Sequence, residues 1–171
     1  MSAPPELATG ESARCIDGMT PTTRHKYPEF AEAVADEVSP ALESVDFEGL
    51  VDQLVAWTEK QKPALEQRHN ASRTTISYAI PENDVLIWRV ASRMKDGAKV
   101  ELLPRDSALL PPRARQAMVK LLEAMSPGAD LEPDRRLMIP LHNLAEPRVM
   151  KQFLALLGVA LKAGRTMKRR A

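Results

Sequence analysis

The rhythm of apolar and polar positions changes along this chain, and each change marks an element. Residues 1–28 have no apolar period and carry Pro4, Pro5, Pro21 and Pro28 among Ser and Thr, so they read as a disordered head. From Glu29 to Val38, Phe30, Val34 and Val38 recur every four residues and predict a short acidic helix. A second helix is predicted from Pro40 or Asp46 to about Lys62, because Phe47, Leu50, Val51, Leu54, Val55 and Thr58 share one face. Pro63 interrupts that helix or opens a short one ending near His69-Asn70.

The period then falls to two. Ile76, Tyr78 and Ile80 alternate with Thr75, Ser77 and Ala79; after Pro81–Asp84, Leu86, Trp88 and Val90 alternate with Val85, Ile87 and Arg89; after Asp96-Gly97, Val100 and Leu102 alternate with Lys99 and Glu101. Asp-Gly between alternating runs is a strong hairpin signal, so residues 73–103 are predicted to form a three-stranded antiparallel meander. Pro111-Pro112 opens a helix to about Met125, with Met118, Leu121, Leu122 and Met125 on one face. Residues 136–144 read as a fourth strand, and Pro140 places it at a sheet edge or breaks it there. Glu146-Pro147 opens a last helix ending near Gly164, the expected C-terminal cap. The predicted fold is α+β, in the order α-α-β-β-β-α-β-α, with the helices on one face of the sheet. One domain spans 29–164 and a basic tail spans 165–171.

Composition changes this picture little. Apolar residues make up 44% and charged residues 27%, but aromatics only 4%, so aliphatic side chains and eight Met residues must fill the core. Cys15 is the sole cysteine, which excludes an intrachain disulfide. No signal-peptide core is evident near the start, and the longest uncharged apolar run, Phe153 to Leu161, is far short of the roughly 20 residues that span a bilayer. These features predict a cytoplasmic protein.

Charge changes it more. The net +1 conceals −8 over residues 1–60 (4 Lys/Arg, 12 Asp/Glu) and +9 over residues 61–171 (20 Lys/Arg, 11 Asp/Glu). If Ile76, Tyr78, Leu86, Trp88, Val90, Val100 and Leu102 face the helices, the opposite face shows Arg73, Thr75, Ser77, Arg89, Arg93 and Lys99, diluted by Val85, Ile87 and Glu101. With Lys168, Arg169 and Arg170 of the tail, those cations form a candidate polyanion surface. The last helix is apolar nearly all round, so Phe153, Leu154, Leu157 and Leu161 are either enclosed by the core or offered to a second chain.

Catalytic templates find no match. The chain has no Gly-rich phosphate loop, no Gly-x-Ser-x-Gly and no His pair at metal-ligand spacing, so no metal or cofactor is expected. A nuclease-type set of Asp and Glu-x-Lys could begin at Asp84, but the third strand reads Glu101-Leu102-Leu103 and lacks the lysine. Three readings follow. The first is a non-catalytic binding protein that acts through protein contacts as a homodimer. The second is nucleic-acid binding through the basic sheet face and tail. The third is an enzyme with a site the motifs do not reveal, for which His69, Tyr78, Glu101 and His142 are the groups to watch.

Overall fold

The structure, a computed structural model, describes residues 45–69, 75–91, 98–126 and 136–168. Helix α1 (Phe47–Glu59) begins where Asp46 accepts a hydrogen bond from the Gly49 amide at 2.8 Å, satisfying an otherwise unpaired donor of the first turn. Strands β1 (Glu66–His69), β2 (Thr75–Ile80), β3 (Val85–Ala91) and β4 (Lys99–Leu102) follow. Helix α2 (Pro112–Met125), strand β5 (Leu137–Pro140) and helix α3 (Pro147–Thr166) complete the order, with 3-10 turns at Ser107–Leu109 and Leu141–Ala145. The strands form one five-stranded antiparallel sheet in sequence order, with β1 and β5 at its edges.

One face of the sheet carries Ile76, Tyr78, Trp88, Val90, Val100, Leu102, Leu137 and Ile139. These residues share a single core with the apolar stripes of α1, α2 and α3. Trp88 is fully enclosed and ties the sheet to α1: its indole N–H donates to Thr58 Oγ1 at 2.9 Å, and that hydroxyl donates to Leu54 O at 2.8 Å. The Tyr78 ring lies beside it, with ring centroids 5.1 Å apart.

A bulge corrects the expected assignment of faces. Tyr78 pairs with Trp88 and Ala79 with Leu86, so Ile87 is an extra residue on β3. Ile87 and Trp88 therefore both enter the helix-side core, Val85 joins them, and Leu86 turns to the opposite face. Leu103, at φ 46°, donates its amide to the carbonyl of Ile87 at 2.8 Å and so secures the bulged residue.

Other expectations also shift. The sheet has five strands rather than three plus one, because Glu66–His69, read as a helix end, pairs with β2. That strand is entirely polar and gains its order from the ladder, not from an apolar period. Helix α3 runs past Gly164 to Thr166. Gly164 is a close-contact site instead: a Cβ there would lie 2.8 Å from Ile87 Cδ1 and 3.1 Å from Ile80 Cδ1. The placement of β5 at an edge agrees with Pro140, which ends that strand. The predicted head, the acidic helix at 29–38 and the Asp96-Gly97 turn lie outside the described residues. No helix among the described residues is long and apolar enough to cross a membrane.

Candidate functional site

Two surfaces stand out, one on each side of the molecule. The first is built on the sheet face away from the helices. Register places Arg68, Ser77, Arg89, Glu101 and Met138 in one row across the five strands. Glu101 is 0% exposed although it lies on this outer face. Its Oε2 accepts from Arg89 Nε at 2.7 Å and from a terminal nitrogen of the same guanidinium, and Arg136 stands 3.7 Å from Oε1. At the sheet edge, Arg68 bonds Glu66 at 3.1 Å and Asp84 at 2.8 Å, while Ser77 Oγ donates to the carbonyl of Arg68.

Beside this row opens a cavity of about 650 Å³. Arg68, Arg89, Arg105 and Lys168 line it together with Thr75 and Ser77, and Leu86 and Leu109 supply apolar wall. Lys168 reaches it because Asn83, in the β2–β3 turn, donates from Nδ2 to the carbonyls of Gly164 (2.8 Å) and Met167 (2.9 Å). The Gly164 carbonyl also accepts the Met167 amide at 3.1 Å, so Asn83 adds a second bond there, pairs the Met167 carbonyl and fixes where the chain leaves the helix.

The second surface is a groove of about 570 Å³ between α2 and α3. Leu121, Ala124 and Met125 form one wall, and Val149, Ala155, Leu156 and Val159 the other. Among the described residues, three large apolar side chains are exposed, and two of them, Leu121 (50%) and Val159 (55%), lie on this groove. Arg148, Gln152 and Glu146 complete its lining. The helices that frame it are cationic: α2 carries Arg113, Arg115 and Lys120 against Glu123, and α3 carries Arg148, Lys151, Lys162 and Arg165 with no acid, a net +6 over the two.

The residues singled out from sequence are only partly gathered. Of the candidate polyanion surface, Arg89 and Lys168 meet in the cavity; Lys99 lies on β4, paired with Ala91 and Pro140; Arg73, Arg93, Arg169 and Arg170 fall outside the described residues. Arg68 and Arg105 were not singled out, and no spacing links them to Arg89. Of the interface candidates, Phe153, Leu157 and Leu161 belong to the chain's own core. Leu154 is half-buried in a smaller depression with Gln53, Met150 and Lys151. Exposed apolar surface on α3 is carried by Val159 instead.

The four groups watched for hidden catalysis do not assemble. Tyr78 faces the helices and Glu101 the opposite side, His69 pairs through its backbone with Ile76 on the β1 edge, and His142 sits in the turn after β5. Among the described residues, no group of three or more His, Cys, Asp or Glu side chains is placed to hold a metal ion.

His142 has a consequence for stability. Desolvation by burial lowers its pKa from the ordinary value, and its Nδ1 is buried without a hydrogen-bond partner. The folded chain thus binds this proton less readily than the unfolded chain. As pH falls from about 6.5 toward the lower folded value, proton uptake favours unfolding. Urea midpoints measured between neutral and mildly acidic pH should decline more steeply for the natural chain than for His142→Gln.

No protein-family model, curated protein or solved structure matches this chain.

Proposed function

We propose that this protein is a non-catalytic binding module that receives an acidic amphipathic helix of a partner protein in the groove between α2 and α3. The observation that carries this reading is the pairing of Leu121 and Val159, half-exposed aliphatic side chains on facing helices, over a floor of Ala124, Met125, Ala155 and Leu156. Apolar grooves between helices accept the apolar face of a third helix, whose side chains at i, i+3, i+4 and i+7 fill the cleft. On the groove itself Arg148 and Glu146 offset each other, and the net +6 of the two framing helices, spread around them, gives its surroundings a positive field that favours acidic flanks on that partner. The same charge weighs against a second copy in this groove, since an isologous contact would set two cationic faces against each other. The homodimer expectation also loses Phe153, Leu157 and Leu161, which the chain uses internally.

The test is fluorescence anisotropy of the full-length chain with a labelled acidic peptide of the sequence found at residues 29–43, Glu-Phe-Ala-Glu-Ala-Val-Ala-Asp-Glu-Val-Ser-Pro-Ala-Leu-Glu, and with a scrambled peptide of equal composition. Saturable binding of the ordered peptide is expected. Leu121→Asp or Val159→Asp should weaken it by about tenfold or more, because central apolar anchors dominate such interfaces. Both sites are exposed, so these changes should leave the fold intact. Equal binding of the scrambled peptide, or no effect of either variant, overturns the proposal. So does a doubled mass in light scattering that both variants abolish, which would put a second copy in the groove.

A further inference from the structure

The cavity on the opposite sheet face is independent of the helix groove and carries its own argument. Its cations come from four separate stretches of chain: Arg68 on β1, Arg89 on β3, Arg105 after β4 and Lys168 after α3. They are not a charged run gathered by accident of sequence; the tertiary fold brings them to one concavity. Bringing like charges together is unfavourable unless something negative lies among them.

Four carboxylates, Glu66, Asp84, Glu101 and Asp106, accompany the four cations, and their placement is informative. Glu101 lies fully buried beneath Arg89, and Glu66 and Asp84 hold two nitrogens of Arg68. A guanidinium is a planar fork of five donors, so carboxylates bound on some of them fix its plane and leave the others to a ligand. Nε of Arg68 is buried without a hydrogen-bond partner, so this guanidinium is only in part satisfied by its two carboxylates. Asp106, the other carboxylate on the lining, is itself buried. Arg105 and Lys168 are exposed at the site, and Asn83 fixes the backbone that presents Lys168.

We infer that this cavity binds a small phosphate-bearing molecule. Cations converging from several directions suit a compact anion with several acceptor oxygens, and rigid arginine forks suit phosphate oxygens in particular. The volume of about 650 Å³ lies in the range of small-ligand sites, and Leu86 and Leu109 give an apolar surface for the rest of such a molecule. A nucleic-acid backbone is the less suitable source of phosphate, because the cations surround a concavity and do not form a stripe along which a strand could run.

The experiment uses the full-length chain with inorganic pyrophosphate as probe. Binding is followed by calorimetry and by the rise in the thermal unfolding midpoint that a ligand of the folded state produces. Lys168→Glu and Arg105→Glu should each weaken pyrophosphate binding by about tenfold or more, and Lys168→Glu, at an exposed side chain, should do so without moving the ligand-free midpoint. Lys151→Glu, on the other side of the molecule, should bind as the natural chain does. A labelled single-stranded 20-mer of thymidylate is the second probe. Absence of any pyrophosphate effect at millimolar concentration overturns the inference, as does an equal loss in Lys151→Glu. Tight oligonucleotide binding that pyrophosphate fails to displace overturns it in favour of a nucleic-acid surface. Because Leu121→Asp lies outside the cavity, its effect on pyrophosphate should be nil, so this site and the helix groove stand or fall separately.

Discussion

Replacing Arg89 with alanine is expected to destabilise the folded chain by about 3–5 kcal/mol, the cost of leaving a buried carboxylate without its partner. Glu101 is 0% exposed and accepts two bonds from the Arg89 side chain, while Arg136 remains at 3.7 Å and is itself substantially exposed. Arg136 cannot replace a bidentate partner at that distance, since the interaction is longer than a hydrogen bond. The pair as a whole is another matter. Two charges removed from water recover little more than their desolvation cost, so Arg89→Leu combined with Glu101→Leu should restore most of the loss. Urea unfolding of Arg89→Leu, Glu101→Leu and the double variant closes the cycle. A single-variant loss below about 1 kcal/mol would show that Glu101 finds water or another cation when Arg89 is gone.

Trp88→Ala should cost a comparable amount, about 3–5 kcal/mol, because it empties the largest fully buried site in the core. Trp88→Phe should cost far less, about 1 kcal/mol, which separates volume from hydrogen bonding. The reason lies in Thr58. Its hydroxyl accepts from the indole but donates to Leu54 O, so a phenyl ring at 88 removes a donor without stranding the hydroxyl proton. Thr58→Val does the reverse: it leaves the indole N–H buried with no acceptor and should cost more than Trp88→Phe. Equal losses for Phe and Ala at position 88 would mean that the bulge, and not the ring, holds this part of the sheet together.

The elements that were legible in sequence are those whose burial is one-sided. The stripe Phe47, Leu50, Val51, Leu54, Val55 predicts α1, and all five residues are buried in the fold. Alternation over 75–80 and 99–102 predicts β2 and β4, and the prolines at 112 and 147 open α2 and α3. The elements that were missed lack that signature. Strand β1 is Glu-Gln-Arg-His, with no apolar residue to set a period, and its strong helix formers are overruled by pairing with β2. Residues 85–88 are Val-Leu-Ile-Trp, apolar at every position, so no alternation could announce an inserted residue at Ile87. The cavity was legible only in halves: Arg89 stood out on the sheet and Lys168 on the tail, but their meeting depends on Asn83, whose side chain reaches from a turn to carbonyls some eighty residues later.

The position of α3 bears on how the protein is made. It packs on β3, in the middle of the sheet, and contributes Phe153, Leu156, Leu157, Ala160 and Leu161 to the common core. A ribosome delivers the strands first and this helix later, at about 5–20 residues per second. Until α3 emerges, the nascent sheet lacks a main part of its apolar cover, and Trp88, Val90 and Val100 have no complete lid. The chain therefore passes through a stage in which its stickiest surface faces solvent, and molecules truncated by stalled translation before residue 147 would be substrates for chaperones and proteases.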